Sequence, residues 1–494
     1  MISQHPDHGS KPYWQKNAFI KTGDEIKECF LSFSELGSSE YKWDWEGKYV
    51  DESVIEKLLS EYHDYFKENP LGKDKFLTFR LPNPKVETEF RLGRAFMGIL
   101  GAAGLAKKIG LHSPPLFEVI LPMTESAEEM IAIQEAFLEM ASLKHALYDF
   151  GEESLRHIEL IPLFEQVSTI MNSHLLLEKY WRMHEKIFHF KPVYFRPYLA
   201  RSDPALNSGL VPTVLAIKIG LSHYKELEKK HNIKLFPIIG SASLPFRGGL
   251  TPNTVERFCR EYKGIKTVLI QSAFRYDYEK KSVIKAIKKL EKILPQGEAV
   301  SISVSEEKKI KELISVFEKY YRNSIEPIAE LINNVSFFLP KRRERVLHIG
   351  LFGYSRGLGK VRLPRAIGFT GALYSLGIPP EIIGTGRGIK YAIENKQIKL
   401  IEKYYLNIKD DLRKAGRFVQ KDELIKLARD SQVWKDILQD IEEIEKYLGE
   451  KFKPVTKEEK EHFEIVKKLH EKMDLGKNYQ IYLNRLAVLR KSLG

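Results

Sequence analysis

Residues 161–166 read IPLFEQ and residues 200–209 read ARSDPALNSG. Each reads as an apolar strand that ends in a single carboxylate, Glu165 in the first and Asp203 in the second. A long amphipathic helical pattern follows each, as in VPTVLAIKIGLSHYKELEKKHN at 211–232. Consecutive β-α units that each place an acid at the strand's C-terminal end suit a divalent metal site on a (β/α) barrel. The pairing points to an enzyme, and to oxygen-ligand chemistry with Mg²⁺ or Mn²⁺.

Working outward, apolar β-leaning segments recur along the chain. They are the short stretch before His5, then FLTFRL (76–81), LFEVIL (116–121), HIELIPLF (157–164), VYFRPYL (193–199), KLFPIIG (234–240), TVLIQSAF (267–274) and RVLHIGLF (345–352). FLSFSEL (30–36) is an alternative to the first, which is very short. Helical patterns such as 126–150 and 211–232 separate most of them, and that alternation predicts a parallel sheet. Eight strands predict closure, so the expected fold is α/β, a TIM-like (β/α)₈ barrel with many additional helices. TESAEE at 124–129 is a helix start, capped by Thr124 or Ser126 with acids in the first turn. Beyond about residue 375 the pattern turns almost wholly helical and charged. Residues 1–375 are therefore expected to form the catalytic barrel. Residues 376–494 are expected to form a helical C-terminal region integrated with it, packed on the barrel or making a subunit contact.

The composition narrows the class. A chain of 494 residues with 43% hydrophobic content supports a sizeable core. Two cysteines, Cys29 and Cys259, exclude a disulfide framework and zinc-type spacing. The opening MISQHPDHGS has neither a basic nor an apolar leader region, and no long apolar run follows. A cytoplasmic protein without membrane association is the expectation. The net charge of +13 admits nucleic-acid binding or an anion-handling site on a lysine-rich surface. Lysines interleave with glutamates along helices, as in EKKSVIKAIKKLEKI, which favours solvated faces. PKRRER (340–345) is the one dense basic block.

Active sites of such barrels lie at the C-terminal ends of the strands. The side chains expected there are His5, Arg80, Glu165, Asp203, Arg247, Gln271, Arg275, Arg356 and Arg365. Two acids can hold a cation that keeps waters or substrate oxygens. Arginines match the forked oxygens of phosphate and carboxylate, and a histidine moves a proton near neutral pH. The set implies a small phosphorylated acid as substrate. Taken singly, each residue has a blander reading: Glu165 as an ion-pair partner, Asp203 as a helix cap, Arg247 as part of a turn, His5 as a frayed terminus. GRGIK (386–390) reads as a loop, and GLGK (357–360) lacks the full phosphate-loop pattern. His112, His145, His157 and His174 share no spacing and read as structural.

The stretches QHPD (4–7), LTFRLPNP (77–84), LPMTES (121–126), PLFE (162–165), RSD (201–203), FRGG (246–249), GYSRGLGK (353–360), LPRAIGF (363–369) and LRKSLG (489–494) occur in one order. That collinear set resembles phosphoenolpyruvate carboxylase of the short, archaeal type, over nearly the whole chain. The resemblance implies a (β/α)₈ barrel, usually a homotetramer, that needs Mg²⁺ or Mn²⁺. It implies conversion of phosphoenolpyruvate and bicarbonate to oxaloacetate and phosphate, through carboxyphosphate and a metal-stabilised enolate. By motif, Glu165 and Asp203 would be metal ligands, and His5, Arg247 and Arg356 catalytic. Arg80 and Arg365 would bind substrate, and Gln271 and Arg275, placed at the same rim by the strand pattern, are expected to bind it too. The Arg247 loop and the LRKSLG segment would close the site.

The chain departs from the long enzymes of the family. Their S-D-S-x-K-D is Ser202-Asp203-Pro204-Ala205-Leu206-Asn207 here, so Leu206 replaces a lysine. Ser241 and Ile239 replace an arginine and a histidine of their glycine-rich stretch. Arg201, Lys218 and Arg275 are candidates for the missing charge. Allosteric feedback by aspartate or malate is an open expectation. Rival readings are a Mg²⁺-dependent 2-oxo acid aldolase or citrate-lyase-like enzyme, a basic RNA-binding protein, and an inactive paralogue.

Overall fold

Period-two alternation sorts the strand side chains into two sets, and that sorting builds the barrel. In Glu40–Asp44 the aromatic Tyr41 and Trp43 face one way while Glu40, Lys42 and Asp44 face the other. The computed structural model describes residues 1–17, 20–21, 23–45, 50–87, 90–145, 148–149, 155–343, 356–358, 361–475 and 478–494. Eight strands form one all-parallel sheet: β1 (Ile2–Ser3), β2 (Glu40–Asp44), β3 (Phe76–Arg80), β4 (Glu118–Leu121), β5 (Glu159–Phe164), β6 (Tyr198–Leu199), β7 (Ile238–Gly240) and β8 (Thr267–Leu269). Each pairs with its neighbour in chain order. The ring closes where Ile2 bridges Ile270 in parallel, with Ser3 N–H on Ile270 O at 3.0 Å and Ile270 N–H on Met1 O at 2.9 Å.

The outward set, including Ile2, Tyr41, Trp43, Leu77, Phe79, Val119, Leu160, Phe164, Leu199, Ile239 and Val268, joins the helices in one large apolar core. The inward set is layered. At the floor, Arg196 binds Glu40 at 2.8 and 2.9 Å, Thr267 at 3.2 Å, and Glu118 as well. Burial pulls the Arg196 guanidinium down, but Glu40 and Glu118 hold its pKa above the ordinary value. Above the floor lies an apolar plug of Met1, Ile120, Ile161, Leu163, Tyr198, Ala200, Ile238 and Leu269. A TIM barrel's interior is packed in this way, so chemistry is confined to the mouth.

Helices Arg91–Lys108, Ala127–Ala141, Val167–Phe188 and Leu210–His231 cover β3 to β6 on the outside. Ser126 caps the second by accepting from Glu129 N–H, and Thr124 instead donates to Leu121 O. The C-terminal part of the chain is helical, including Thr385–Glu394, Gln432–Leu448, Lys457–Asp474 and Gln480–Leu489. Both cysteines are buried and unpaired. No helix among the described residues is long and apolar enough to cross a membrane.

The expected segments at 76–81, 116–121, 157–164, 193–199, 234–240 and 267–274 each contain a barrel strand, and so does the stretch before His5. Two expectations need correcting, and a third falls outside the described residues. FLSFSEL lies mostly in the helix Asp24–Ser34, where Ile26, Cys29 and Phe33 form a buried face at helical spacing. Its place as a strand belongs to EYKWD at 40–44, whose inward residues are all charged. GRGIK lies within the helix Thr385–Glu394, where Arg387 is bound by Asp440 at 2.8 Å. RVLHIGLF (345–352) lies outside the described residues, and the ring closes without it.

Candidate active site

The strand ends open into a cavity of about 600 Å³. Glu165 follows β5 directly, and Asp203 occupies the first turn of the helix Ser202–Ser208 that follows β6. Asp44 and Arg80 terminate β2 and β3 and pair at 2.9 Å. His5 lies two residues past β1 and Gln271 two past β8. Arg247 comes from the turn Pro245–Arg247 after β7, and Arg365 is the N-cap of helix Ala366–Ser375. All eight line this one cavity, with Tyr198 and Leu163 at its base and Leu493 on its wall.

The field in the cavity is mixed. Tyr198 feels Asp44, Glu165 and Asp203 together, and burial with those three carboxylates pushes its phenol well up against the opposing pull of Arg80. His5 is held well below an ordinary histidine, by burial first and then by Lys42, Arg80 and Arg247, against the opposing Asp44. It is therefore a neutral imidazole near pH 7. Its Nδ1 lies 2.9 Å from Ser3 Oγ, which donates its single hydrogen to Ile270 O at 3.3 Å. When that hydrogen goes to Ile270 O, Ser3 accepts from Nδ1–H, and in that tautomer Nε2 keeps its lone pair.

Arg247 is 1% exposed, yet well supplied with acceptors. It donates to Ser202 Oγ at 3.0 Å, to Gln271 Oε1 at 2.7 Å and to Gly494 O, with Asp7 at 3.7 Å. The LRKSLG segment thus packs into the mouth, held further by Leu493 N–H on Asp7 O at 2.6 Å and by Arg490, which donates to Leu493 O at 2.6 Å.

The donor set suits a hard divalent cation. Among the described residues no cluster of three or more His, Cys, Asp or Glu gathers as a ready-made cage. Glu165 and Asp203 instead line one cavity and act on the same phenol. Mg²⁺ characteristically takes one or two carboxylates and completes its shell with water and substrate oxygens.

Not every expected residue arrives here. Arg275 lies outside the cavity, where it pairs with Glu28 at 3.1 Å and donates to Ser3 O at 2.7 Å. Arg356 starts the short strand Arg356–Leu358, and most of GYSRGLGK falls outside the described residues. Of the candidates for the missing charge, Lys218 is tied to Glu261 at 2.6 Å away from the cavity. Arg201 lines the cavity but donates to Tyr262 Oη, Phe246 O and Pro245 O.

Residues that sequence reasoning passed over appear instead. Asp44 ends a strand just as Glu165 does, and the alternation of Tyr41, Trp43 and Trp45 was the available signal. Of the basic block at 340–345, the described residues Pro340, Lys341, Arg342 and Arg343 line the cavity. Arg342 donates to His8 O at 2.9 Å and to Gly9 O at 2.7 Å, and Arg343 pairs with Glu28 at 2.7 Å. Arginines held in this way are not a free surface for RNA.

Comparison with known proteins covers the whole chain. A family model described as phosphoenolpyruvate carboxylase matches residues 1–494. The chain is 37% identical to the phosphoenolpyruvate carboxylase of Leuconostoc mesenteroides over 498 residues, covering 100% of this chain and 98% of that protein. It is 39% identical to the one of Metallosphaera sedula over 513 residues, with 100% and 99% covered. To that of Pyrococcus horikoshii it is 40% identical over 428 residues, with 85% and 87% covered.

Proposed function

The chain belongs to the phosphoenolpyruvate carboxylase family, and from that premise we propose that its cavity condenses phosphoenolpyruvate with bicarbonate to give oxaloacetate and phosphate. The observation that carries this reading is that a neutral histidine, the carboxylates Glu165 and Asp203, and Arg80, Arg247 and Arg365 line one cavity.

A divalent ion held by Glu165 and Asp203, Mg²⁺ or Mn²⁺, would supply Lewis-acid stabilisation of negative charge as it develops on substrate oxygen. Arg80 and Arg365 bind the phosphoryl and carboxylate oxygens of phosphoenolpyruvate, joined by Arg356 through its motif and by Lys341 at the rim. A bicarbonate oxygen attacks phosphorus and the bond to the enol oxygen breaks, giving carboxyphosphate and the enolate of pyruvate. His5 Nε2 takes the proton of the carboxyphosphate carboxyl group. The bond from carbon to the bridging oxygen then breaks, and CO₂ and phosphate separate. Carbon 3 of the enolate attacks CO₂ to form oxaloacetate, and His5 returns its proton to phosphate. Leu163, Tyr198, Ala200 and Leu493 keep water from the enolate, which otherwise quenches to pyruvate. Ser3 holds the imidazole in the tautomer that this role requires.

The same reading takes the protein as a cytoplasmic homotetramer in which 1–375 and 376–494 work as one integrated unit. The deciding experiment supplies phosphoenolpyruvate and Mg²⁺ with and without bicarbonate, and traps oxaloacetate with malate dehydrogenase and NADH. Bicarbonate-dependent NADH loss with matching phosphate release is expected. Turnover that ignores bicarbonate, or none with either metal, refutes the assignment.

A further inference from the structure

Arg247 belongs to a glycine-flanked turn, the kind of segment expected to swing shut over a substrate. Its backbone is clamped instead. Phe246, the residue before it, is fully buried, with its ring 6.4 Å from that of Tyr321 and 5.8 Å from that of Phe369. The Phe246 N–H donates to Glu381 Oε1 at 2.7 Å, and the Phe246 C=O accepts from Arg201 Nη1 at 2.8 Å. Arg201 Nη2 reaches the Pro245 C=O at 3.3 Å. The peptide between Pro245 and Phe246 is thus held at both ends, and the next peptide at its carbonyl. Behind the turn there is no slack, since a Cβ on Gly248 would meet Ser241 Oγ at 2.5 Å.

Both braces are buried and themselves oriented. Glu381 is 0% exposed, and the oxygen that takes Phe246 N–H also accepts the Tyr374 hydroxyl at 2.7 Å. Arg201 is oriented from below by Tyr262 Oη at 3.0 Å. A guanidinium fork spans two successive carbonyls and a phenol at once, and a lysine ammonium on a flexible stem does not.

We propose that Arg201 and Glu381 are positioning residues for Arg247, locking the Pro245–Arg247 turn so that its guanidinium is preset in the cavity and does not close onto substrate. Arg201, one candidate for the missing substrate-binding charge, acts through the backbone of its neighbour. Glu381 lies between the helices Ala366–Ser375 and Thr385–Glu394, so the C-terminal helices set the geometry of a loop on the barrel. A donor fixed during folding costs no reorganisation at the moment of reaction.

The proposal rests on the reading of Arg247 as a group that meets substrate, and a double-mutant cycle on the full-length enzyme separates the two. Glu381→Ala and Arg201→Lys should each lower kcat/KM for phosphoenolpyruvate by about 10- to 100-fold, the cost of a misplaced group. Glu381→Gln keeps the acceptor oxygen and should stay within about threefold of the parent, since only the charge is lost. In an Arg247→Ala background neither Glu381→Ala nor Arg201→Lys should lower it further, because both act through the missing side chain. Multiplicative losses in that background, or an Arg201→Lys enzyme with full activity, overturn the proposal. If Arg247→Ala alone leaves kcat/KM intact, it is the reading of Arg247 that fails, and the brace has nothing to position. Thermal unfolding of each variant confirms that folded protein is compared, and Arg201→Lys carries the test should Glu381→Ala not fold.

Discussion

Replacing Ser3 by alanine should slow the second half-reaction and leave substrate binding alone. The hydroxyl lies 2.9 Å from Nδ1 of His5 in a partly buried setting, and it accepts from that nitrogen when its own hydrogen goes to Ile270 O. A neutral hydrogen bond of this kind contributes about 0.5–1.5 kcal/mol. Taken from one imidazole tautomer, that amount shifts the tautomer ratio by about 2- to 13-fold, since 1.4 kcal/mol is a factor of ten. We expect kcat for oxaloacetate formation to fall about 3- to 10-fold on that basis, with KM for phosphoenolpyruvate unchanged. The pH profile adds a second signature. His5 must be neutral to take a proton, and burial with Lys42, Arg80 and Arg247 already holds its pKa well below 6.5. The acidic limb of kcat therefore lies below pH 6.5 in the parent. Losing an acceptor that favours the protonated ring moves that limb lower still while the plateau drops. Ser3→Thr keeps the oxygen and should restore both plateau and limb. The assay is bicarbonate-dependent oxaloacetate formation from pH 5 to 9. A Ser3→Ala enzyme with an unchanged plateau, or one altered only in KM, refutes the assignment of tautomer and base together.

Other consequences are as direct. His5→Asn should cut oxaloacetate formation by about 10²-fold or more, the usual worth of a general base, while phosphate release persists and pyruvate accumulates; equal loss of both products would place His5 before the first bond breaks. Glu165→Gln and Asp203→Asn should each abolish Mg²⁺-dependent turnover with the unfolding midpoint nearly unchanged, and turnover that survives either change removes that residue from the metal site. Arg196→Met leaves Glu40 and Glu118 buried without their shared cation, which should cost about 3–5 kcal/mol in denaturant unfolding near pH 7. Carboxyls stranded this way have pKa values raised above their unfolded ones, so the deficit should shrink as pH falls toward 5; a deficit that does not change with pH argues against the ion pair.

The barrel was legible wherever strand segments were apolar on both faces. LFEVIL, HIELIPLF and KLFPIIG announce themselves because Ile120, Ile161, Leu163 and Ile238 fill the plug while their outward residues meet helices. EYKWD was opaque for the opposite reason: its inward residues, Glu40, Lys42 and Asp44, serve the floor pair and the cavity, so three of its five side chains are charged. FLSFSEL misled because Phe30, Ser32 and Ser34 alternate with Leu31 and Phe33 like a strand, whereas Ile26, Cys29 and Phe33 pack as a helix face. The rule of reading acids and arginines at strand ends brought His5, Arg80, Glu165, Asp203, Arg247, Gln271 and Arg365 to one cavity. It misplaced Arg275, which lies in the helix Ser272–Tyr276, where side-chain direction is not set by strand parity. The lining role of Lys341 to Arg343 depends on a chain return to the barrel mouth from far along the sequence, for which no local pattern exists.

The filled floor of the barrel has a kinetic consequence. Arg196 with Glu40 and Glu118, and the apolar layer above them, make the reaction chamber a blind tube. Reactants and products therefore do not pass through that floor among the described residues, and an anion lying against the plug leaves after one lying nearer the strand ends. The seal also serves the shortest-lived species. A CO₂ molecule set free above that floor has the nucleophilic carbon beside it and a closed layer beneath it, so capture is favoured over loss through the barrel and carbon is conserved.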